Sequence, residues 1–239
     1  MTLPDTRSAR ASILGALRAA APAAALPLPD LGPYLAGPYG VGSQGARVDP
    51  ATLVDHFEAA ARGWRADVLR AGEHDWPDAV RVALDQRGCK RVAIGAASPL
   101  QPGLDAALQG LEVRRFEQPL EQWKSELFDA IDAGVTAAEA GIADTGTLVL
   151  IPGPNEPRTL SLVPSVHVAV LMVSTLYAGL PAALRALAPE LDMPTNLLLV
   201  TGPSKTADIQ QTLAFGAHGP KELVIVLVQD APADARTLS

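Results

Sequence analysis

Apolar residues recur along this chain in two ways, at helical spacing and in short continuous runs. Residues 7–20 set Ile13, Leu14 and Leu17 on one face among Arg7, Arg10 and Arg18, which predicts a short amphipathic helix. From Ala21 to Gly45 the pattern is lost, and Pro22, Pro27, Pro29, Pro33 and Pro38 exclude a regular element. This stretch is read as an ordered wrap or a linker. It divides an N-terminal part, residues 1–48, from an α/β domain over residues 49–239. Asp49-Pro50 opens a helix in which Leu53, Val54, Phe57, Ala60 and Ala61 share a face. A second helix is predicted over Trp76 to Gln86.

The pattern then shifts. Continuous apolar runs occur at 91–95, 112–116, 147–151, 167–173, 196–200 and 222–228. Runs without alternation are the mark of strands covered on both faces. Helical spacing separates several of them, over Gln122 to Ala133, Leu176 to Leu187 and Ser204 to Phe215. Strand–helix–strand order predicts one mostly parallel sheet with helices on both faces, holding the runs at 91–95, 147–151, 167–173, 196–200 and 222–228.

Composition narrows the function. The chain has 239 residues, 48% of them apolar and only 4% aromatic, so its core must be packed with Ala, Val, Leu and Ile. A formal charge of −7 with no long basic run argues against nucleic acid as a partner. The one cysteine, Cys89, allows no internal disulfide and no cysteine-ligated iron–sulfur cluster or zinc site. His56, His74, His167 and His218 show no metal-binding spacing, so no cofactor is expected. No signal sequence is read at the N-terminus, and no apolar run reaches membrane-spanning length, so a cytoplasmic location is expected.

Three segments carry candidate chemistry. In Asp144-Thr145-Gly146-Thr147, hydroxyls and a carboxylate stand beside a glycine that permits positive φ, directly before a strand. The alternative is a turn whose Asp144 satisfies nearby amides. In Arg158 to His167, the arginine is chemically suited to grip a carboxylate. His167 is either a general base or anion donor, or a hydrogen-bonded structural residue. The third segment runs Thr201-Gly-Pro-Ser-Lys-Thr-Ala-Asp-Ile209, followed by Gly216-Ala-His-Gly-Pro220. Here a strand runs into Gly202, and Ser204 is read as the N-cap of a helix whose free amides join Lys205 and Thr206 in an anion site. The alternative is a well-capped helix with Asp208 favouring its first turn. His218, on a turn between glycines, can close the pocket at the strands' carboxyl ends, where open α/β sheets bind ligands.

The order and spacing of Ala143 to Thr147, Pro164 to His167, Gly202 to Ile209 and Gly216 to Pro220 resemble the motif series of the lactate-utilisation (LUD) domain family. The likeness is greatest to its small C-type members. The resemblance implies a fold similar to the ribose-phosphate isomerase, glucosamine-phosphate isomerase and CoA-transferase group. It also implies a part in oxidising L-lactate to pyruvate together with iron–sulfur partner proteins. No catalytic residue is carried over by it.

The positions where motif and residue chemistry coincide are Thr145, Gly146, Thr147, His167, Gly202, Ser204, Lys205, Thr206, Asp208 and His218. They are read as binding a small anionic ligand or the partners. A stand-alone enzyme acting on a sugar phosphate or CoA ester, and a pure interaction module, are the competing functions. One geometric condition attaches to the shared pocket. The Thr145 turn precedes a strand and the Gly202 turn follows one. They share an edge only if the strand bearing Thr147 runs against its neighbours or the first turn folds over.

Overall fold

The computed structural model describes residues 6–20, 49–187, 194–207, 213–215 and 219–230. The chain divides into two units, Met1–Tyr34 and Leu35–Ser239. The described part of the first is one helix, α1 (Thr6–Ala20), as its spacing predicts. The Pro-rich stretch at 21–45 lies outside the described residues.

The second unit opens with α2 (Pro50–Gly63), which starts where the sequence places it. The Asp49 carboxylate accepts from the Thr52 amide at 3.3 Å, and proline occupies the first turn. Val54, Phe57 and Ala61 form its buried face. Then follow β1 (Asp67–Gly72), α3 (Trp76–Gln86), β2 (Arg91–Ile94), α4 (Gln101–Ala107), β3 (Glu112–Arg115), α5 (Leu120–Asp129) and β4 (Ala133–Ala138). The chain continues through β5 (Ala140–Ile142), β6 (Thr147–Leu150), α6 (Thr159–Leu162), β7 (Val166–Met172), β8 (Leu176–Tyr177), α7 (Leu180–Leu187) and β9 (Leu198–Val200). It ends in β10 (Lys205–Ala207), β11 (Leu213–Phe215) and β12 (Glu222–Gln229).

Six strands form a wholly parallel sheet in the order β1-β12-β7-β4-β2-β3. Helices α3 and α4 cover one face, packing Val80, Leu84 and Leu104 on Val92, Ile94, Val168 and Val226. The other face receives Phe57 of α2, Trp123 and Leu127 of α5 and Leu160 of α6. The α/β class with helices on both faces is therefore observed. Two strands of this sheet, β1 and β4, fall where the apolar pattern predicts none. β4 is small-residue-rich because its space is taken. A Cβ on Gly134 would lie 2.0 Å from the Leu160 carbonyl oxygen.

The single-sheet expectation is corrected. The runs at 147–151 and 196–200 belong to a second, four-stranded sheet in the order β8-β5-β6-β9, with β6 antiparallel to both neighbours. Leu148 and Leu150 of β6 pack inward toward Phe57, while Val149 packs outward with Ala183 of α7. Both faces are buried, so this antiparallel strand reads as a continuous apolar run just as a parallel one does. The helix expected over Ser204 to Phe215 is also corrected. Its described parts are β10 and β11, paired antiparallel, so the backbone groups at the two ends satisfy each other.

Candidate functional site

The antiparallel pairing of β6 with β9 decides the geometry. Leu148 stands opposite Val200, so the residue entering β6 faces the residue leaving β9. Thr147 Oγ1 lies 2.7 Å from Thr201 Oγ1, and Thr145 Oγ1 lies 2.7 Å from Thr147 Oγ1. Three hydroxyls thus form a ladder that joins two motifs over fifty residues apart in sequence. Thr147 is buried, whereas Thr145 and Thr201 at the two ends are exposed.

Both glycines of these turns have positive φ, +62° at Gly146 and +78° at Gly202. Each also allows a close backbone approach to the end of α2. A Cβ on Gly146 would lie 2.2 Å from the Ala61 amide nitrogen, and one on Gly202 would lie 2.4 Å from the Trp64 carbonyl oxygen. Lys205 Nζ stands 5.2 Å from the centroid of the Trp64 ring, within cation–π range. Thr145, Gly146, Thr147, Gly202 and Lys205 are therefore gathered around the end of α2.

Ser204 is placed beside them in another role than expected. Its amide donates to the Pro220 carbonyl at 2.9 Å and is not free for an anion. The edge is different too. The Lys221 amide donates to Ser165, at the amino ends of β12 and β7, so the cluster lies at the amino edge of the parallel sheet and not at its carboxyl edge. The cause is the second sheet, whose β9 runs toward that edge. The Thr206 side chain, Asp208 and His218 lie outside the described residues.

Beside Pro203 opens a cavity of ≈ 170 Å³ lined by Arg65, Arg87, Lys221, Asp67 and Glu222. Arg87 is held by Asp67 at 2.9 Å and Glu222 at 2.8 Å. Among the described residues, Lys221 faces no carboxylate within ion-pair distance.

His167 stands apart. It is fully enclosed on the face of β7 that carries Ala169 and Leu171, and its Nε2 lies 2.8 Å from Thr136 Oγ1 of β4. Burial depresses its pKa to about 4, so at neutral pH it is an uncharged imidazole. Its contact matches the structural alternative more closely than an exposed anion donor.

The LUD domain description matches residues 53–228, most of the Leu35–Ser239 unit. The chain belongs to the LUD domain family. A protein of Neisseria meningitidis serogroup B is 42% identical over 185 residues, covering 75% of this chain and 79% of that protein. The lactate utilization protein C of an Exiguobacterium species is 36% identical over 182 residues, covering 74% of this chain and 78% of that one. Among solved structures, a DUF162 family protein from Deinococcus radiodurans superposes with a TM-score of 0.59 at 25% identity, over 76% of this chain and 99% of the other.

In this LUD domain Cys89 is buried, and burial first, then Asp132, pushes its thiol up to about 11, which leaves it protonated and unreactive. Among the described residues no three His, Cys, Asp or Glu side chains converge to hold a metal ion. No described helix is long and apolar enough to cross a membrane. One polar residue, Glu156, escaped the sequence reading. It lies in a Pro/Gly-rich loop with no spacing signal, and only folding carries it under the sheet's other edge.

Proposed function

We propose that this protein takes part in lactate utilisation and binds a small anionic ligand at the amino-edge cluster of Thr145, Thr147, Thr201 and Lys205. The observation that carries this reading is the hydroxyl ladder, which brings two family motifs to one surface beside a lysine. The neighbouring cavity adds three cationic side chains to two carboxylates, a local positive balance in a chain of net charge −7. An anion is drawn to such a patch. Relatives named lactate utilization protein C connect the family to lactate. Action together with iron–sulfur partner proteins, which the family resemblance implies, is part of the proposal, and the single cysteine means that this chain's own cysteines cannot hold such a cluster.

The test pairs growth with binding. A deletion strain complemented with Lys205→Ala is expected to grow poorly on L-lactate as sole carbon source. The purified variant is expected to bind phosphate or lactate roughly tenfold to a hundredfold more weakly, a loss of about 1.5–3 kcal/mol. Adding Thr145→Val to Lys205→Ala is expected to be non-additive if both groups meet one ligand. Growth and binding of Lys205→Ala equal to wild type overturn the reading.

A further inference from the structure

The two edges of the parallel sheet leave different amounts of room. At the carboxyl ends of β2 and β4 the loop after β6 closes the crevice. The Ala96 amide donates to the Asn155 carbonyl at 2.9 Å, Glu156 Oε2 lies 3.4 Å from the Ala137 amide, and the ≈ 10 Å³ left over holds about one water. The amino ends of β1 and β12 lie side by side and border the ≈ 170 Å³ cavity instead. That is room for a small polyatomic ion with its waters, and less than the ~300–1,000 Å³ of a site for a drug-sized molecule. Both motifs of the third sequence segment reach this cavity. Pro203 belongs to the first, and Lys221 directly follows the second.

The cations of the cavity come from three segments. Arg65 stands in the turn after α2, on one face of the sheet. Arg87 closes α3, on the other face, and Lys221 leads into β12 between them. Arg87 is already oriented, since Asp67 and Glu222 hold it and its Nη1 donates to the Ala83 carbonyl at 3.1 Å. Arg65 is held in a costly conformation. Its φ of +70° is the only positive one at a non-glycine among the described residues. The Ala66 amide donates to the Ala61 carbonyl at 3.0 Å and the Arg65 amide to the Arg62 carbonyl at 2.9 Å. In a helix end of this form the left-handed residue is ordinarily glycine. Helix C-termini favour cations, but the last turn of α2 already holds Arg62, and Lys221 belongs to no helix. An arginine kept where glycine would relax the backbone points to a side chain retained for what it binds.

We infer that this cavity is a second anion site, separate from the Thr145–Lys205 cluster, and that it takes a phosphoryl group. A carboxylate is planar, and one guanidinium can satisfy it. A phosphoryl group presents three oxygens in three directions, as Arg65, Arg87 and Lys221 approach from three segments. Asp67 and Glu222 set the orientation of Arg87 and leave the cavity one positive charge in excess. Arg65 and Lys221, both exposed, supply the charge that the ligand meets at the mouth.

The experiment titrates the full chain with inorganic phosphate, methyl phosphate and acetate and follows backbone amide signals by NMR. The Ala66 and Glu222 amides report on the cavity, and the Thr145 and Thr147 amides report on the cluster. Phosphate is expected to shift the cavity amides saturably, and acetate to bind there about tenfold or more weakly. Arg65→Gly and Lys221→Ala are each expected to weaken phosphate at the cavity amides by about tenfold or more and to leave the cluster amides unchanged. Lys205→Ala is expected to do the reverse, so the two sites stand or fall separately. Methyl phosphate binding like phosphate identifies the ligand as a phosphate ester, and binding of phosphate alone identifies it as the free ion. Arg65→Gly is also expected to unfold at a higher urea concentration than wild type, because its backbone strain is relieved. A lower midpoint with unchanged phosphate binding would mean that Arg65 serves only the fold. That result, the absence of a saturable shift at the cavity amides, wild-type binding by both variants, or acetate binding as tightly as phosphate would overturn the inference.

Discussion

The two polar clusters of this domain sit at opposite edges of one sheet and are built on opposite principles. At the amino edge, Thr145 and Thr201 are exposed, a lysine rides on a half-exposed tryptophan, and the glycines underneath hold the geometry. Under the sheet, Thr136 and His167 are buried and the histidine is held neutral, and toward the carboxyl edge Glu156 is pushed toward its neutral form. The first cluster keeps its charge in water, where charge costs little. The second suppresses charge because desolvation would make it expensive. The same side-chain types therefore carry different energetic weight at the two places, and mutation should expose the difference.

The largest expected effect lies in the backbone beneath the open cluster. Gly146→Ala adds a Cβ 2.2 Å from the Ala61 amide nitrogen, at a φ of +62°. Left-handed strain and overpacking together are expected to cost about 4 kcal/mol, read as a lowered urea midpoint. A midpoint within experimental error of wild type would mean that the turn is not pressed onto α2.

Acid distinguishes the closed cluster. His167 titrates near 6.5 when unfolded and at about 4 when folded, so its contribution to stability is whole above pH 6.5 and is lost as the pH falls toward 4. Full protonation is worth about 3 kcal/mol. Glu156, with its folded pKa raised, acts in the opposite sense, since the folded state holds that proton more tightly. His167→Gln removes the titration but keeps a donor for Thr136. The variant is expected to lose less stability than wild type between pH 6.5 and 4 in denaturant titrations. Parallel curves for the two proteins would show that the imidazole is not kept neutral.

The smallest effect is the sharpest comparison, because one substitution is made in each cluster. Thr136→Val leaves the buried His167 Nε2 without its hydrogen-bond partner and is expected to cost about 1–3 kcal/mol. Thr145→Val removes an exposed hydroxyl and is expected to stay within about 0.5 kcal/mol of wild type. Equal costs for the two changes would erase the distinction between an open and a closed site.

Much of this molecule was legible in its residues. The capped start of α2, the helix over Trp76–Gln86 and the apolar strands β2, β7 and β12 follow from local pattern, because each depends on spacing and on which faces are covered. Thr145, Gly146, Thr147, Gly202 and Lys205 could be named from motif and chemistry. What sequence left undecided was strand direction and partnership. β6 reads like a parallel core strand because both its faces are buried, yet its direction depends on β5 and β9. β4 hides in Ala and Gly because Leu160 stands against it. Pro203 to Phe215 reads as a capped helix, yet Ser204 finds its partner at Pro220 and the described ends pair as strands. Hydrophobic period and turn chemistry are properties of neighbouring residues, so the chain alone determined many of the elements and named several of the candidate polar groups. Which hydroxyls meet, which edge they occupy and which carboxyl is buried are properties of contacts between distant segments. Only the tertiary structure, by running β6 against β9 and dropping Glu156 between β2 and β4, decided them.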